Sequence, residues 1–175
     1  MGHEMGSQLP EKNVPEQARP TRMPAYGRSP KELDFEGLYG HLGYFLRDLQ
    51  VRVFKDFIRT FAVMNVRPAQ YSTLVLIAAN PGTSQAAIGE ALNIERARFA
   101  RLLHDLERRG WIKRVPAPDD RRSHALFMTN EGRKALAKLR SLAAQHEEQV
   151  SHFVGIRDRK ILITVLRELK QRDER

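Results

Sequence analysis

The sequence predicts a mainly helical protein with one small β-hairpin. Apolar residues recur every three or four positions over most of the chain after residue 34, which is the spacing of helices with one buried face. Strand-like composition is confined to residues 111–115 and 124–128. With 175 residues, 41% of them hydrophobic, the chain is long enough for a compact domain extended by helical arms.

Composition and charge restrict the partners and the compartment. The formal net charge of +9 and the pI near 10.2 favour a polyanionic partner. Nucleic acid, an acidic membrane surface and an acidic protein all stay open on charge alone. The chain has no cysteine, which excludes disulfides and thiolate metal sites and fits a reducing compartment. No apolar run approaches the roughly 18 residues of a membrane span, and no secretion signal is seen, so we expect a cytoplasmic protein.

The flanking segments are predicted to be an arm and two helical regions. Residues 1–31 contain five prolines and few apolar residues, so we expect a mostly disordered arm; a basic tail that contacts DNA or a partner is the alternative. A long helix is predicted over residues 34–64, unless Gly40 or Gly43 breaks it. Its apolar stripe predicts packing against a second subunit. Residues 32–66 and 130–175 are therefore expected to form the dimerisation region. The stripe consists of Leu38, Leu42, Phe45, Leu49, Val53, Phe57 and Phe61.

Residues 67–129 are predicted to form a lobe of three helices and a hairpin. The helices are expected over residues 68–79, 84–92 and 95–109, with Thr83 or Ser84 as the cap of the second helix and Gly110 as the end of the third. The hairpin strands are 111–115 and 124–128, joined by a turn-forming loop at 116–123. Thr129 is expected to cap a helix that Gly155 ends, and a last helix is expected over residues 157–171.

Basic side chains gather on the last helix of this lobe and at the hairpin tip. Packing through Phe99, Leu102, Leu103 and Leu106 leaves Arg96, Arg98 and Arg101 on the outer side of the helix. Arginine binds guanine edges and phosphates, and an arginine on a hairpin tip fits a narrow minor groove.

The tip carries Asp120, Arg121 and Arg122. Each feature has an alternative without DNA. The helix could be an ordinary solvent-exposed charged face with an Arg101–Asp105 pair, and the tip could be an ordinary hairpin turn with solvent-exposed arginines. Helix and hairpin together favour a winged helix-turn-helix that binds duplex DNA.

The run LLHDLERRGWIKRVPAPDDRRSHALFMTNEG resembles the signature of MarR-family regulators, and the resemblance covers about residues 38–172. It implies a winged-helix homodimer that binds double-stranded DNA. The wing Asp-x-Arg of the family falls on Asp120 and Arg122. Recognition-helix contacts fall between Arg96 and Arg101, and Ser84 and Gln85 fall where the preceding helix meets phosphate.

The resemblance also implies a small-molecule effector. The cleft of the family lies between the DNA-binding lobe and the dimer arm. It would be lined here from the first and second helices, near His41, Tyr44, Phe45, Arg47 and Tyr71, and from the fifth helix, although Tyr44, Phe45 and Tyr71 could equally be core aromatics. The runs NPGTSQAAIGEALNIERARFARLL and DDRRSHAL resemble members of the family tied to aromatic-acid catabolism, some of which sense aromatic acyl-CoA thioesters. The expected function is a repressor that such a compound releases from a pseudo-palindromic operator.

Two other classes of protein are kept as alternatives. One is a ligand-independent architectural protein that coats DNA without sequence preference. The other is a small basic enzyme, which the sequence disfavours because it shows no convergent catalytic set. His146 and His152 are six residues apart, which is not the spacing of a shared metal site. No metal or cofactor is expected.

Overall fold

The computed structural model describes residues 29–116 and 124–173, and it divides after His41 into two units. The described part of the first unit contains two short 3-10 helices, Pro30–Glu32 and Glu36–Gly40. The Asp34 carboxylate accepts a hydrogen bond of 2.8 Å from the backbone N–H of Glu36, and the rings of Phe35 and Tyr39 stack at 5.0 Å. The prediction of a disordered arm falls mainly on residues 1–28, which lie outside the described part.

The second unit contains six α-helices and one hairpin in its described part. In chain order, the elements are α1 (Leu42–Thr60), a 3-10 helix (Ala62–Met64), α2 (Pro68–Ala79), α3 (Gln85–Ala91), α4 (Arg96–Arg108), β1 (Ile112–Pro116), β2 (His124–Met128), α5 (Asn130–Val154) and α6 (Ile156–Asp173). The predicted mainly helical class with a β-wing is confirmed. A continuous helix over residues 34–64 was wrong, because glycine is a poor helix former and the α-helix begins only after Gly40.

Several of the predicted caps are confirmed in atomic detail. The Ser84 hydroxyl accepts from the N–H of Ala87 at 3.2 Å, and the Thr129 hydroxyl accepts from that of Gly132 at 2.9 Å. Such bonds satisfy backbone donors that a helix start leaves free. Gly110 follows α4 with a φ of +71°, a conformation that favours glycine. The short loops of the lobe are thus fixed by local chemistry.

The hairpin is joined to the turn between α2 and α3. Its strands pair antiparallel from Ile112 opposite Met128 to Pro116 opposite His124. The N–H of Leu126 also donates to the Thr83 carbonyl at 3.0 Å, and Ser84 forms a β-bridge with Ala125. The predicted wing therefore has a third backbone segment along β2, which the sequence analysis missed.

One hydrophobic core joins the helices and the hairpin. Its fully buried apolar side chains are Phe61, Leu74, Ile77, Leu103, Leu106, Leu126 and Leu139. The rings of Phe57 and Phe61 stack at 3.8 Å at the carboxyl end of α1. The core thus connects α1, α2, α4, β2 and α5, and it holds the hairpin and α4 as one body.

The apolar stripe of α1 is buried only at its carboxyl end. Leu42 is 71% exposed and Phe45 is 49% exposed, and α6 has an apolar face that is also exposed. The exposed residues of α6 include Ile161, Leu162, Val165, Leu166 and Leu169. None of the helices in the described part of the chain combines the length and apolarity needed to span a bilayer. The exposed apolar faces of α1 and α6 each group several large side chains, whereas the surface of an ordinary monomer exposes such side chains singly.

Candidate nucleic-acid interface

The start of α4 is fixed by the carboxylate of Glu95. Its two oxygens accept from the backbone N–H groups of Ala97 at 2.8 Å and Arg98 at 2.9 Å. These two donors, with a smaller contribution from the Arg101 charge, hold the pKa of Glu95 below its usual range. Two side-chain hydrogen bonds therefore cap the first turn of α4, which contains Arg96 and Arg98.

The two faces of α4 are sharply different. Phe99, Leu103 and Leu106 are buried in the core, whereas the three predicted contact residues Arg96, Arg98 and Arg101 are exposed. At 100° per residue, Arg98 and Arg101 lie within about 60° of each other on the side of α4 away from the core, whereas Arg96 is exposed at the start of the helix nearer the buried face. A helix with this arrangement can lie in a major groove and direct donors to base edges and phosphates.

The carboxylate of Asp105 is hydrogen-bonded to side chains of α4 and α2. Its carboxylate accepts from Arg108 at 2.7 Å and from the Gln70 amide of α2 at 2.8 Å. The alternative in which Asp105 pairs with Arg101 is therefore not the arrangement found.

Arg109, the residue after α4, donates to the Met64 carbonyl at 3.1 Å and the Asn65 carbonyl at 2.9 Å. It also lies over the Trp111 ring at 5.0 Å. The sequence gives no signal for this contact, because the two carbonyls are more than 40 residues away in the chain.

The turn between α3 and α4 brings the two helices close together. Asn93 has a φ of +49°, and the N–H of Ile94 donates to the Gly89 carbonyl at 2.9 Å. A Cβ on Gly89 would lie 3.1 Å from the Phe99 ring, so the ring would have to shift by a few tenths of an ångström to make room for it. Ser84 and Gln85, the predicted phosphate contacts, lie at the start of α3 and are half-buried.

The base of the hairpin is tied to α4 by an ion pair. The Arg114 guanidinium donates to the Glu107 carboxylate, with the Nε contact at 2.9 Å. This hydrogen bond, assisted by the arginine charge, holds the pKa of Glu107 below its usual range. The tip residues Asp120, Arg121 and Arg122 lie outside the described residues, so the structure reaches the wing only up to Pro116 and again from His124.

The structure separates the residues of the predicted effector cleft. Tyr44 and Phe45 contact each other edge to face at 5.3 Å near the start of α1, and Arg47 is exposed on the same helix. Tyr71 instead packs beside Phe61 at 5.4 Å as a partly buried member of the core.

The distance between the start of α1, where Tyr44 lies, and Tyr71 follows from the rise of the α1 helix. Tyr71 contacts Phe57, which lies thirteen residues after Tyr44, or about 20 Å along a helix axis. Tyr44 and Tyr71 of one chain therefore do not contact each other, and the effector cleft stays a prediction. His41 is exposed and belongs to the first unit.

A cavity of about 490 Å³ lies between α1 and α5. Its polar lining includes Arg52, Lys55, Asp56, Arg59 and Gln149, and its apolar lining is Val53, Val150 and Phe153. Within residues 29–116 and 124–173, no His, Asp and Glu side chains are grouped in a way that could hold a metal ion. The cavity therefore offers cations and an apolar wall, and the sequence analysis did not predict it.

The core carries the helix pair α3 and α4, exposed arginines lie on α4, and a β-hairpin is joined to both helices. This arrangement is that of a winged helix-turn-helix DNA-binding protein. The MarR-family model matches residues 64–123. One relative is the putative transcriptional regulatory protein for the hcr operon of Thauera aromatica. It is 34% identical to this chain over 143 residues, which cover 81% of this chain and 86% of that protein. The chain belongs to the MarR family.

Two solved structures of one repressor are similar to this chain in fold. The transcriptional repressor CouR bound to a 23-mer DNA duplex is 40% identical, with a TM-score of 0.76, and the alignment covers 79% of this chain and 99% of that one. CouR bound to p-coumaroyl-CoA is 37% identical, with a TM-score of 0.73, and the alignment covers 79% and 98%. The chain is a MarR-type transcriptional regulator and not an enzyme.

Proposed function

We propose that this regulator is a homodimeric repressor that binds a pseudo-palindromic operator and is released by an aromatic carboxylate or its CoA thioester. DNA binding is supported mainly by the exposure of Arg96, Arg98 and Arg101 on α4. The carboxylate of Glu95 caps the start of this helix. The similarity to the DNA-bound CouR structure supports the same role.

Dimerisation would cover the exposed apolar faces of α1 and α6. A stable interface needs an apolar centre that is removed from water, and these two faces supply side chains such as Phe45 and Leu166 that are about half exposed in one chain. Two copies would place their α4 helices in successive major grooves about 34 Å apart. The dimer thus explains both the apolar faces and the expected symmetry of the operator.

The effector class is supported by the ligand-bound relative. CouR, at 37% identity, has been solved with p-coumaroyl-CoA, and the cavity between α1 and α5 presents cations beside an apolar wall. An effector that prefers one arrangement of the dimer lowers DNA affinity by the same factor by which DNA lowers the affinity for the effector. Release of DNA would therefore follow from differential binding to the two states.

The alternative is an architectural protein that coats DNA. It predicts binding without sequence preference and with strong salt dependence. The first test selects binding sites from randomised duplexes and then titrates the selected duplex and a scrambled duplex at one salt concentration. A selected symmetric sequence supports the repressor, and equal affinities for both duplexes support the architectural protein.

Arg98→Ala tests the recognition helix in the same titration. A lost base contact costs about 1–3 kcal/mol on the selected duplex and much less on the scrambled one. Arg98→Ala should therefore weaken specific binding by about tenfold or more and reduce the specificity ratio. Equal losses on both duplexes would show that Arg98 contacts only phosphate. Arg122→Ala tests the wing tip in the same way, with a loss of about tenfold expected from a minor-groove arginine.

Sedimentation tests the dimer. Leu166 is 48% exposed on α6, and a glutamate there would put a charge into the proposed apolar interface, which is costly without a partner. We expect Leu166→Glu to sediment as a monomer and to lose operator binding, while Lys138→Glu on the exposed side of α5 stays dimeric. A Leu166→Glu dimer of unchanged stability would contradict the assignment of this face.

A further inference from the structure

His104 lies on the solvent side of α4, between two exposed arginines. Counted at 100° per residue from the buried Phe99, His104 lies at about 140°, Arg108 at about 180° and Arg101 at about 200°. All three side chains are exposed. They form an outer strip, Arg101, His104 and Arg108, that is about 60° wide and extends over about 10 Å of the helix axis. The imidazole therefore belongs to the surface that the arginines of α4 make positive.

The position of His104 along α4 favours a phosphate over a base. A helix with its side chains is about 10–12 Å wide and a major groove is about 12 Å wide, so the sides of the helix face the phosphates. Base edges are contacted mainly by the first residues of a recognition helix. His104 comes eight residues after Arg96, the first residue of α4, which is about 12 Å along the axis. It therefore lies beyond the turn that reads bases.

The fold itself does not use the ring nitrogens of His104. Within residues 29–116 and 124–173, they form no hydrogen bond or ion pair. His146 shows the opposite case, because it is 5% exposed and its Nδ1 lies 2.7 Å from an Asp56 oxygen. A ligand at the surface of α4 can therefore meet the His104 ring without breaking a contact of the described chain.

The charges nearest to His104 belong to α4 and β1. The charged residues of α4 within one turn of it are Arg101, Asp105, Glu107 and Arg108. Arg114 of β1 donates to Glu107, with the Nε contact at 2.9 Å. The hydrogen bond from Arg114 is the largest cause of the lowered pKa of Glu107, and the charge of His104 is a smaller one. His104 and Glu107 are therefore close, and the acid is held by an arginine.

The other elements packed against α4 add little negative charge. Asp105 accepts from Arg108 at 2.7 Å and from Gln70 of α2 at 2.8 Å, and α2 has no charged residue. The one charged residue of α3 is Glu90, which is exposed. On β1, Lys113 lies over an aromatic ring of β2 at 5.8 Å. Both acids of α4 are thus held by arginines, so the outer strip stays positive toward a phosphate.

An imidazole differs from the neighbouring arginines because its charge depends on pH. The neutral ring has one N–H donor, whereas the protonated ring has two donors and a positive charge. Histidine ordinarily titrates near pH 6.5, while arginine stays charged at every pH at which proteins fold. A phosphate oxygen binds the protonated ring more tightly, so a histidine in such a contact takes up protons when DNA binds.

We propose that His104 is a phosphate contact of α4 and that its protonation makes the DNA affinity of this protein depend on pH. This inference rests on the proposed binding of α4 to DNA, and it adds a dependence that Arg98 and Arg101 do not supply. Affinity rises as the pH falls from about 8 to about 5.5, because the charged ring binds the phosphate. The gain is lost as the pH rises and the ring of the complex releases its proton.

The test titrates the full-length chain with the selected and the scrambled duplex at pH 5.5, 7 and 8 and one salt concentration. Wild type should bind both duplexes about tenfold more tightly at pH 5.5 than at pH 8, since two copies of His104 act in a dimer. His104→Gln keeps a donor without the charge and should reduce this ratio to under about threefold. His104→Lys keeps the charge at pH 8 and should there match the affinity of wild type at pH 5.5 within about threefold.

The salt dependence and the proton uptake give two readouts that a merely structural role would not move. The slope of log affinity against log salt should be steeper at pH 5.5 than at pH 8 by about 0.9 per added phosphate contact in wild type, and equal at both pH values in His104→Gln. Calorimetry at pH 7 in two buffers of different ionisation enthalpy should show about one proton taken up per wild-type dimer. His152→Gln is the matched control, because His152 is an exposed histidine of α5, and it should behave as wild type in all three measurements.

Two outcomes would overturn the assignment of His104. Residues 67–129 contain one other histidine, His124, and a pH dependence that persists in His104→Gln but disappears in His124→Gln would move the contact to the hairpin. An effect of His104→Gln on the selected duplex alone would make His104 a base contact, because phosphate contacts carry no sequence information.

The two duplexes also separate this inference from the proposed function. Equal affinities for both duplexes, with a pH dependence that His104→Gln removes, would refute the repressor and leave the phosphate contact standing. Selective binding of one duplex, with the wild-type pH dependence unchanged in His104→Gln, would refute the phosphate contact and leave the repressor standing.

Discussion

Replacing Gly132 by alanine should open the junction between the hairpin and α5. A Cβ at this position would lie 1.9 Å from the Trp111 carbonyl oxygen and 2.7 Å from its carbon. Real Cβ atoms essentially never come within 3.0 Å of such neighbours, so the start of α5 must move by about 1 Å. The neighbour is backbone, which has no rotamer to relieve the contact.

The size of the effect follows from the hydrogen bonds at the same place. The N–H of Thr129 donates to the Trp111 carbonyl at 3.0 Å, and its hydroxyl donates to the Gly110 carbonyl at 2.6 Å while capping Gly132. A movement of 1 Å breaks the first of these. A lost hydrogen bond costs about 1 kcal/mol, a weakened cap about 1 kcal/mol and overpacking about 1–3 kcal/mol.

We therefore expect Gly132→Ala to lower the free energy of unfolding by about 3–5 kcal/mol, or about 10 °C in Tm for a chain of this size. Urea denaturation at one fixed protein concentration measures it. Gly43→Ala is the control, because a Cβ at Gly43 in α1 would meet nothing within 4 Å and should change stability by less than about 1 kcal/mol. A Gly132→Ala protein within about 0.5 kcal/mol of wild type would refute the reasoning.

Two further predictions concern the contacts around α4. Arg109→Ala removes the hydrogen bonds to the Met64 and Asn65 carbonyls, so we expect thermal unfolding to show a loss of about 1–3 kcal/mol; an unchanged Tm would show that water replaces the guanidinium. The Glu107→Gln variant tests the pair with Arg114. Because the folded pKa of Glu107 is depressed, its ionised form stabilises the fold above the ordinary value of 4.5, and this stability is lost as the pH falls below it. Stability should thus fall less steeply in Glu107→Gln than in wild type between about pH 5 and pH 3, by under about 1 kcal/mol for so exposed a pair; parallel curves would contradict this.

The sequence by itself determined the elements that local chemistry specifies. The sequence predicts Thr129 and either Thr83 or Ser84 as caps, and in the structure the hydroxyls of Ser84 and Thr129 accept from backbone N–H groups. The exposed arginines of α4 followed from the period of its apolar residues, since a helix that buries Phe99 and Leu103 must turn Arg98 outward. These features depend on residues within one or two turns, so spacing is sufficient to predict them.

Only the tertiary structure decided the contacts between distant segments. Nothing in the spacing indicates that Arg109 reaches the Met64 carbonyl, or that Asp56 on α1 meets His146 on α5, ninety residues later. In the same way, the packing of α2 against the carboxyl end of α1 places Tyr71 beside Phe57 and Phe61. Helix patterns specify which face is buried, but the packing of whole side chains decides which residues meet. That packing also created the cavity lined by Arg52 and Phe153.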